Sequence, residues 1–253
     1  MPPAKEPGDA KVIAIVQQKG GSGKSTIAVN LAAVSGQNNP PANEGDPCPV
    51  VAAGIDQQGS LEDWAARIPE ERLPFDYVVT KGKLGEIPGL VEDPDVRRIF
   101  VDTPGFVETD PDAPLDADPI GSGPTAKAME EVLSLTDLAL VPINPAWLTR
   151  RPAEFTIERV LKPRDVKFLV VLNQWNSGSD REDKDGIRPE LDEMQAWCRK
   201  RGYPFVQQAI RFYKIHMKAP QDGLTVIQYP ESGTALRARE DFYKLALSVE
   251  QAL

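Results

Sequence analysis

Within Val16–Thr26, VQQKGGSGKST, residue types that handle phosphate stand close together. Gly20, Gly21 and Gly23 let backbone N–H groups close around phosphate oxygens, an approach that a Cβ would obstruct, and Ser22 belongs to the same cradle. Lys24 can reach β- and γ-phosphates as a point charge. The Ser25 hydroxyl can ligate Mg2+, and Thr26 caps the helix or contacts the α-phosphate. A helix opening near Lys24 adds the positive end of its dipole. The phosphate-loop pattern G-x-x-x-x-G-K-[ST] is met at Gly23-Lys24-Ser25. Its first glycine falls on position 18, however, which is Gln, and a second lysine, Lys19, stands inside the loop.

Two carboxylates extend this chemistry. Asp102 ends the run Arg-Ile-Phe-Val-Asp and has the form of a Walker-B carboxylate held near Mg2+, through water. The following Thr103-Pro104-Gly105 is turn chemistry, and a turn-capping Asp would look the same. Asp56 follows the apolar run Val50–Ile55. There it could orient or deprotonate an attacking water. A helix N-cap or Asx-turn residue would have the same appearance.

These residues need elements to hold them. Strands are expected at Lys11–Gln17, Val50–Ile55, Phe75–Val79, Arg98–Val101, Leu138–Ile143 and Phe168–Leu172. Ile27, Leu31 and Val34 share one face of a helix over Ser25–Ser35, with Gly36 as its stop. Further helices are expected at Thr125–Leu135 and near 152–161, 189–201 and 235–252. Residues 37–49 read as loop, and 104–124, with five prolines, as irregular chain. Short apolar strands alternating with helices predict an α/β fold: a mostly parallel, twisted sheet with helices on both faces. Ligands of such sheets sit beyond the carboxyl ends of the strands. The glycine loop, Asp56, Asp102, Pro142-Ile143-Asn144 and Asn173 all fall at such ends.

The bulk numbers agree with one α/β domain over 1–253, with residues 1–10 as a flexible leader. Apolar runs are strand-length, too short to span a membrane. MPPAKEPGDAK lacks the apolar core of a signal peptide, so a cytoplasmic protein is expected. Cys48 and Cys198 are isolated, which argues against a disulfide framework or a zinc site. His216, the single histidine, is expected at the surface. The formal net charge is −9. Acidic residues crowd 108–118 (Glu108, Asp110, Asp112, Asp116, Asp118) and 180–193. From Arg199 onward the balance is basic, which leaves a polyanion partner open on one face.

Taken together, these segments resemble the ParA/MinD family of deviant-Walker P-loop ATPases, above all its ParA-type DNA-partition members. Lys19–Ser25 matches the fingerprint K-G-G-x-G-K-[ST]. Asp56-Gln57-Gln58-Gly59-Ser60 is similar to the family's D-P-Q-G-S, and Trp64 falls where small members carry N-W. Phe100-Val-Asp-Thr-Pro104 matches the D-x-P strand, Leu135–Ile143 looks like the family's "aD.vlvPv" strand, and Ala219–Gly233 resembles its A-P-s-x-G segment. The likeness spans roughly 11–250. It implies a P-loop NTPase fold of the deviant Walker A (SIMIBI) type binding ATP or ADP with Mg2+. It also implies a homodimer with ATP sandwiched between subunits, and slow hydrolysis that releases it.

On this resemblance Lys19 is the signature lysine that crosses to the opposing subunit's ATP. Lys24 serves the phosphates of its own subunit. Asp56 orients the attacking water, and Ser25, Asp56 and Asp102 surround Mg2+. Asn173 is the adenine-contacting asparagine, with Arg211 grouped beside it on the nucleotide. A GTPase would carry N-K-x-D, which Asn173-Gln174-Trp175-Asn176 does not. The family's non-specific DNA binding would engage Arg199, Lys200, Arg201, Lys214, Lys218, Arg237 and Arg239, giving nucleoid association. A ParB-type centromere-binding protein would stimulate hydrolysis, and without an N-terminal helix-turn-helix no operator-specific role is expected.

There are departures from the family. Gly54 and Gln57 replace an Asp and a Pro around Asp56, the loop 37–49 is longer than usual, and 106–124 is an acidic, proline-rich insertion. Rival readings stay open: a MinD-like positioning ATPase, a synthetase or kinase on this fold, or a nucleotide-binding adaptor without turnover. A membrane-switching MinD needs a basic amphipathic tail, and Asp241–Leu253 carries little positive charge. An iron–sulfur reductase needs paired cluster cysteines, which Cys48 and Cys198 do not supply.

Overall fold

The computed structural model describes residues 10–43, 45–56, 60–69, 73–106 and 118–253. Residues 1–9 of the expected leader, the Gln57-Gln58-Gly59 part of the family-like segment and residues 107–117 of the expected insertion, with Glu108, Asp110, Asp112 and Asp116, lie outside the described residues.

Six described strands form one all-parallel sheet: β1 Lys11–Ile15, β2 Val50–Gly54, β3 Asp76–Val79, β4 Arg98–Asp102, β5 Leu138–Ile143 and β6 Phe168–Leu172. Their order across the sheet is β3-β2-β4-β1-β5-β6. β2 and β5 are buried at every position, as expected of strands covered on both faces. The pleat sends alternate residues to two apolar layers. Val12, Ala14 and Val16 enter one layer, and Ile13 and Ile15 enter the other.

The helices are α1 Lys24–Asn38, α2 Ser60–Ala65, α3 Glu86–Glu92, α4 Pro124–Leu135, α5 Arg150–Phe155, α6 Pro189–Arg201, α7 Ile215–Gln221 and α8 Gly233–Ala252. A π-helical turn, Thr156–Leu161, continues α5. Buried residues of α1, α2, α7 and α8 join the Ile13/Ile15 layer, and those of α3 to α6 join the other. The sequence hides the short α3 and α7, because Pro88 and Gly89 interrupt one and Pro220 the other.

Gly36 does not stop α1. It is buried inside the helix, where a Cβ would stand 1.5 Å from the Pro74 carbonyl oxygen. The glycine is there for close approach of backbone, not for termination.

β1 sits between β4 and β5, and the chain leaves it towards β2, whereas from β4 it leaves towards β5. This reversal is the switch point at which such sheets open a crevice beyond the strand ends.

Candidate functional site

The glycine loop follows β1 into that crevice. Register places Ile15 beside Asp102 of β4, and Gly54, two residues before Asp56, on the far side of Asp102. β5 and β6 end alongside at Asn144 and Asn173. In the loop, Gly21 (φ 73°) and Gly23 (φ 91°) are left-handed, the conformation that L side chains resist. A Cβ on Gly23 would also lie 2.3 Å from Asn173 Nδ2. Gln18 stays out of the left-handed region, so the absent first glycine has no conformational cost.

Side chains from the far half of the sheet brace this loop. Asn173 Nδ2 donates to the Ser22 carbonyl at 2.8 Å. Gln174, itself left-handed at φ 57°, reaches the Gly21 carbonyl at 3.4 Å and accepts from Asn144 Nδ2 at 3.2 Å. Thr103 Oγ1 donates to the Ile15 carbonyl at 2.7 Å. Gln174, Thr103 and Gly105, which also line the cavity beside the loop, were not singled out as site residues from sequence. Their one signal was adjacency to Asn173 and Asp102.

The electrostatics are those of charges taken out of water. Lys24 is 8% exposed, and burial lowers its pKa, opposed by the attraction of Asp102 and Asp56. Asp102 is 2% exposed, and burial pushes its pKa up to about 6. A hydrogen bond from Ser25 and the Lys24 charge oppose that rise, while Asp56 adds to it. Each charge is held because its opposite is present.

Gly20, Gly21, Gly23, Lys24, Ser25 and Thr26, with Asp56 and Gln174, line a cavity of about 390 Å3. That lies within the size range of small-molecule sites. Two buried polar atoms beside it, Ser22 Oγ and Asp102 Oδ1, have no hydrogen-bond partner among the described residues. Buried polar groups are rarely left so. The Asp102 carboxylate, the Ser25 hydroxyl and Asp56 are hard oxygen donors, and the residues present fit a magnesium ion beside a phosphate group.

Other candidates fall elsewhere. The ammonium of half-buried Lys19, one residue before that lining, makes no ion pair among the described residues. Arg211 turns its guanidinium to α8, at 2.6 Å from fully buried Asp241 and 3.0 Å from Glu240. In this structure it anchors the last helix. His216 is half-buried and not exposed as expected: it stacks on Tyr213, meets Phe242 edge-on and pairs with the Arg211 carbonyl at 3.0 Å.

The basic residues of the tail do not form one patch. α7 lies at the end of the sheet that carries the glycine loop, where Pro220 and Gln221 line a cavity with Ser25 and Thr26. Arg237, in the first half of α8, meets Arg211 there through its carbonyl. Lys214, Lys218 and Arg237 are exposed at this end, and half-buried Arg239 pairs with Glu231. α6 starts at the same end, its first amides held by Asp180 next to Trp175. Thirteen residues carry it about 20 Å away. Arg199, Lys200 and Arg201 therefore sit at the far end, two of them paired with Asp192 and Glu154.

No protein-family model matches the chain. Over 242 residues it is 28% identical to maintenance of carboxysome distribution protein A of Gloeobacter kilaueensis, covering 95% of this chain and 94% of that one. An ATP complex of a McdA variant from Cyanothece is similar in structure, with a TM-score of 0.63 at 14% identity, over 96% of this chain and 98% of that one. MinD of Pyrococcus horikoshii with Mg-ADP gives a TM-score of 0.62 at 21% identity, over 95% and 96%. A putative plasmid partition protein of Borrelia burgdorferi bound to AMPPNP gives 0.61 at 13% identity, over 95% and 99%.

Sheet order, glycine loop and strand-end carboxylates thus define a P-loop nucleotide-site architecture. The fold is that of the MinD/ParA-type P-loop ATPases.

Proposed function

We propose that this chain is a ParA/MinD-type ATPase that distributes a cellular cargo, working as a dimer that closes over ATP. The observation that carries the reading is the convergence of Lys24, Ser25, Asp102 and Asp56 on the glycine-lined cavity, with Asp102 Oδ1 buried and unpartnered among the described residues. Loop amides and Lys24 bind the phosphates, while Ser25, Asp102 and Asp56 hold Mg2+, which when bound neutralises phosphate charge. Asp56 orients the attacking water. Lys19, without an ion pair among the described residues, serves the partner subunit's nucleotide as an arginine finger would. Asn173 holds the loop and faces the base, and Arg211 supports that side from α8. Hydrolysis opens the dimer.

For cargo, the reading favoured by the resemblance is DNA partition, with non-specific DNA and a ParB-type partner that stimulates hydrolysis, in a cytoplasmic, nucleoid-associated protein. Lys214, Lys218, Arg237 and Arg239, gathered at the nucleotide end, are the better DNA candidates. The far-end group of Arg199, Lys200 and Arg201 is the weaker one. The relative named for carboxysome distribution favours a second reading, in which the same ATP cycle positions a protein body. Among the described residues no helix is long and apolar enough to cross a membrane.

A gel-retardation series with random-sequence DNA and ATP, ADP or no nucleotide tests the DNA reading. Retardation should need ATP and weaken steeply with salt. Equal retardation in all three conditions, or none with ATP, would remove DNA from the proposal and leave the protein-cargo reading.

A further inference from the structure

Lys19 can act outside its own subunit only if its backbone is fixed before the partner arrives, because Gly20, next in the chain, restricts the backbone least. The residues ahead of it are held. Gln17 and Thr156 are both fully buried. Gln17 Nε2 donates to the Pro142 carbonyl at 3.0 Å, which leaves its Oε1 facing the Lys19 amide at 3.5 Å and the Thr156 hydroxyl at 3.3 Å. Thr156 Oγ1 accepts from the Gln18 N–H at 3.1 Å. Its single proton is shared between the Pro152 carbonyl at 2.8 Å and Gln17 Oε1. On the other side, the Lys19 carbonyl accepts from Lys24 Nζ at 3.5 Å. Thr156 opens the π-helical turn Thr156–Leu161, a distortion that recurs at functional sites.

We propose that Gln17 and Thr156 are positioning residues for Lys19. They fix the amides of Gln18 and Lys19, so that the lysine leaves the loop from a rigid root. The pair does the work that a glycine at position 18 could not, since a glycine there would restrict the backbone least. This rests on the proposed dimer, in which Lys19 acts across the interface.

The test uses the full-length protein and its Thr156→Val, Thr156→Ser and Lys19→Ala variants. ADP affinity is measured for the monomer, and dimerisation with AMPPNP and Mg2+ by sedimentation velocity. Thr156→Val keeps the shape and loses the hydroxyl. Its dimerisation should weaken by about fivefold or more, as for loss of one net hydrogen bond, and by a larger factor than its ADP affinity. Thr156→Ser should restore dimerisation. If Thr156→Val dimerises like the wild type while Lys19→Ala does not, the positioning role is wrong and the dimer reading stands. If Lys19→Ala itself dimerises normally, the reading beneath it fails. Should Thr156→Val not fold, amide exchange in the nucleotide-free wild type decides. The Gln18 N–H should be protected relative to Gly20, and equal exchange at both overturns the proposal.

Discussion

The side-chain amide of Asn173, at the end of β6, holds the carbonyl of Ser22 in the glycine loop at 2.8 Å, and both groups are buried. A residue that the family resemblance assigns to the base is therefore also a brace of the phosphate cradle. The same contact explains Gly23, whose Cβ would displace the Asn173 amide.

Two roles for one asparagine can be separated. Asn173→Ala should weaken ADP and GDP binding alike by about five- to tenfold through the loosened loop, the size expected for a lost buried hydrogen bond. Titration calorimetry with both nucleotides reads the ratio. A loss confined to ADP would show that the residue acts on the base and not on the loop.

Lys24→Ala should lower ATP affinity by about a hundredfold, since charge-assisted contacts to phosphate are among the strongest hydrogen bonds. Fluorescent-nucleotide titration measures this. Micromolar binding retained at the wild-type level would mean that the glycine loop is not the phosphate site.

Gly36→Ala tests packing against propensity. Alanine favours a helix over glycine by about 1 kcal/mol. Here its Cβ would meet the Pro74 carbonyl at 1.5 Å, and overpacking costs about 1–3 kcal/mol or more. The clash should win, and the urea midpoint should fall. A raised midpoint would show that the α1 to β3 approach relaxes freely.

His216 gives a pH dependence whose sign follows from burial. Desolvation holds its pKa below 6.5, although the Arg211 carbonyl and the Asp241 charge pull the other way. As pH falls through about 6.5, the unfolded chain takes up a proton that the folded chain does not. Stability present above that pH is lost below it. His216→Gln should therefore lose less Tm than the wild type between pH 7.5 and 5.5, by thermal denaturation. Parallel curves for the two proteins would mean that His216 titrates alike in both states.

All six strands were legible because their apolar runs are short and bounded, and the glycine loop because its chemistry is local: glycines, lysine and hydroxyl are consecutive. Asp102 was legible as a strand end. The short helices α3 and α7 were not, because proline and glycine interrupt them within two turns. Gly36 was misread for a related reason, since a close approach from Pro74, remote in sequence, leaves no local trace.

The sequence by itself determined the glycine loop and the parallel sheet, since both depend on neighbouring residues and on periodicity. Only the tertiary structure decided what long-range contacts decide. Asn173 and Gln174 reach across some 150 positions to hold the loop. Buried Thr156, 138 positions away, fixes the Gln18 amide. Arg211 is engaged with α8, and the basic residues of the tail divide between opposite ends of the sheet. Charge and residue type are written along the chain, but which cation finds a carboxylate and which stays in water depends on how the helices run.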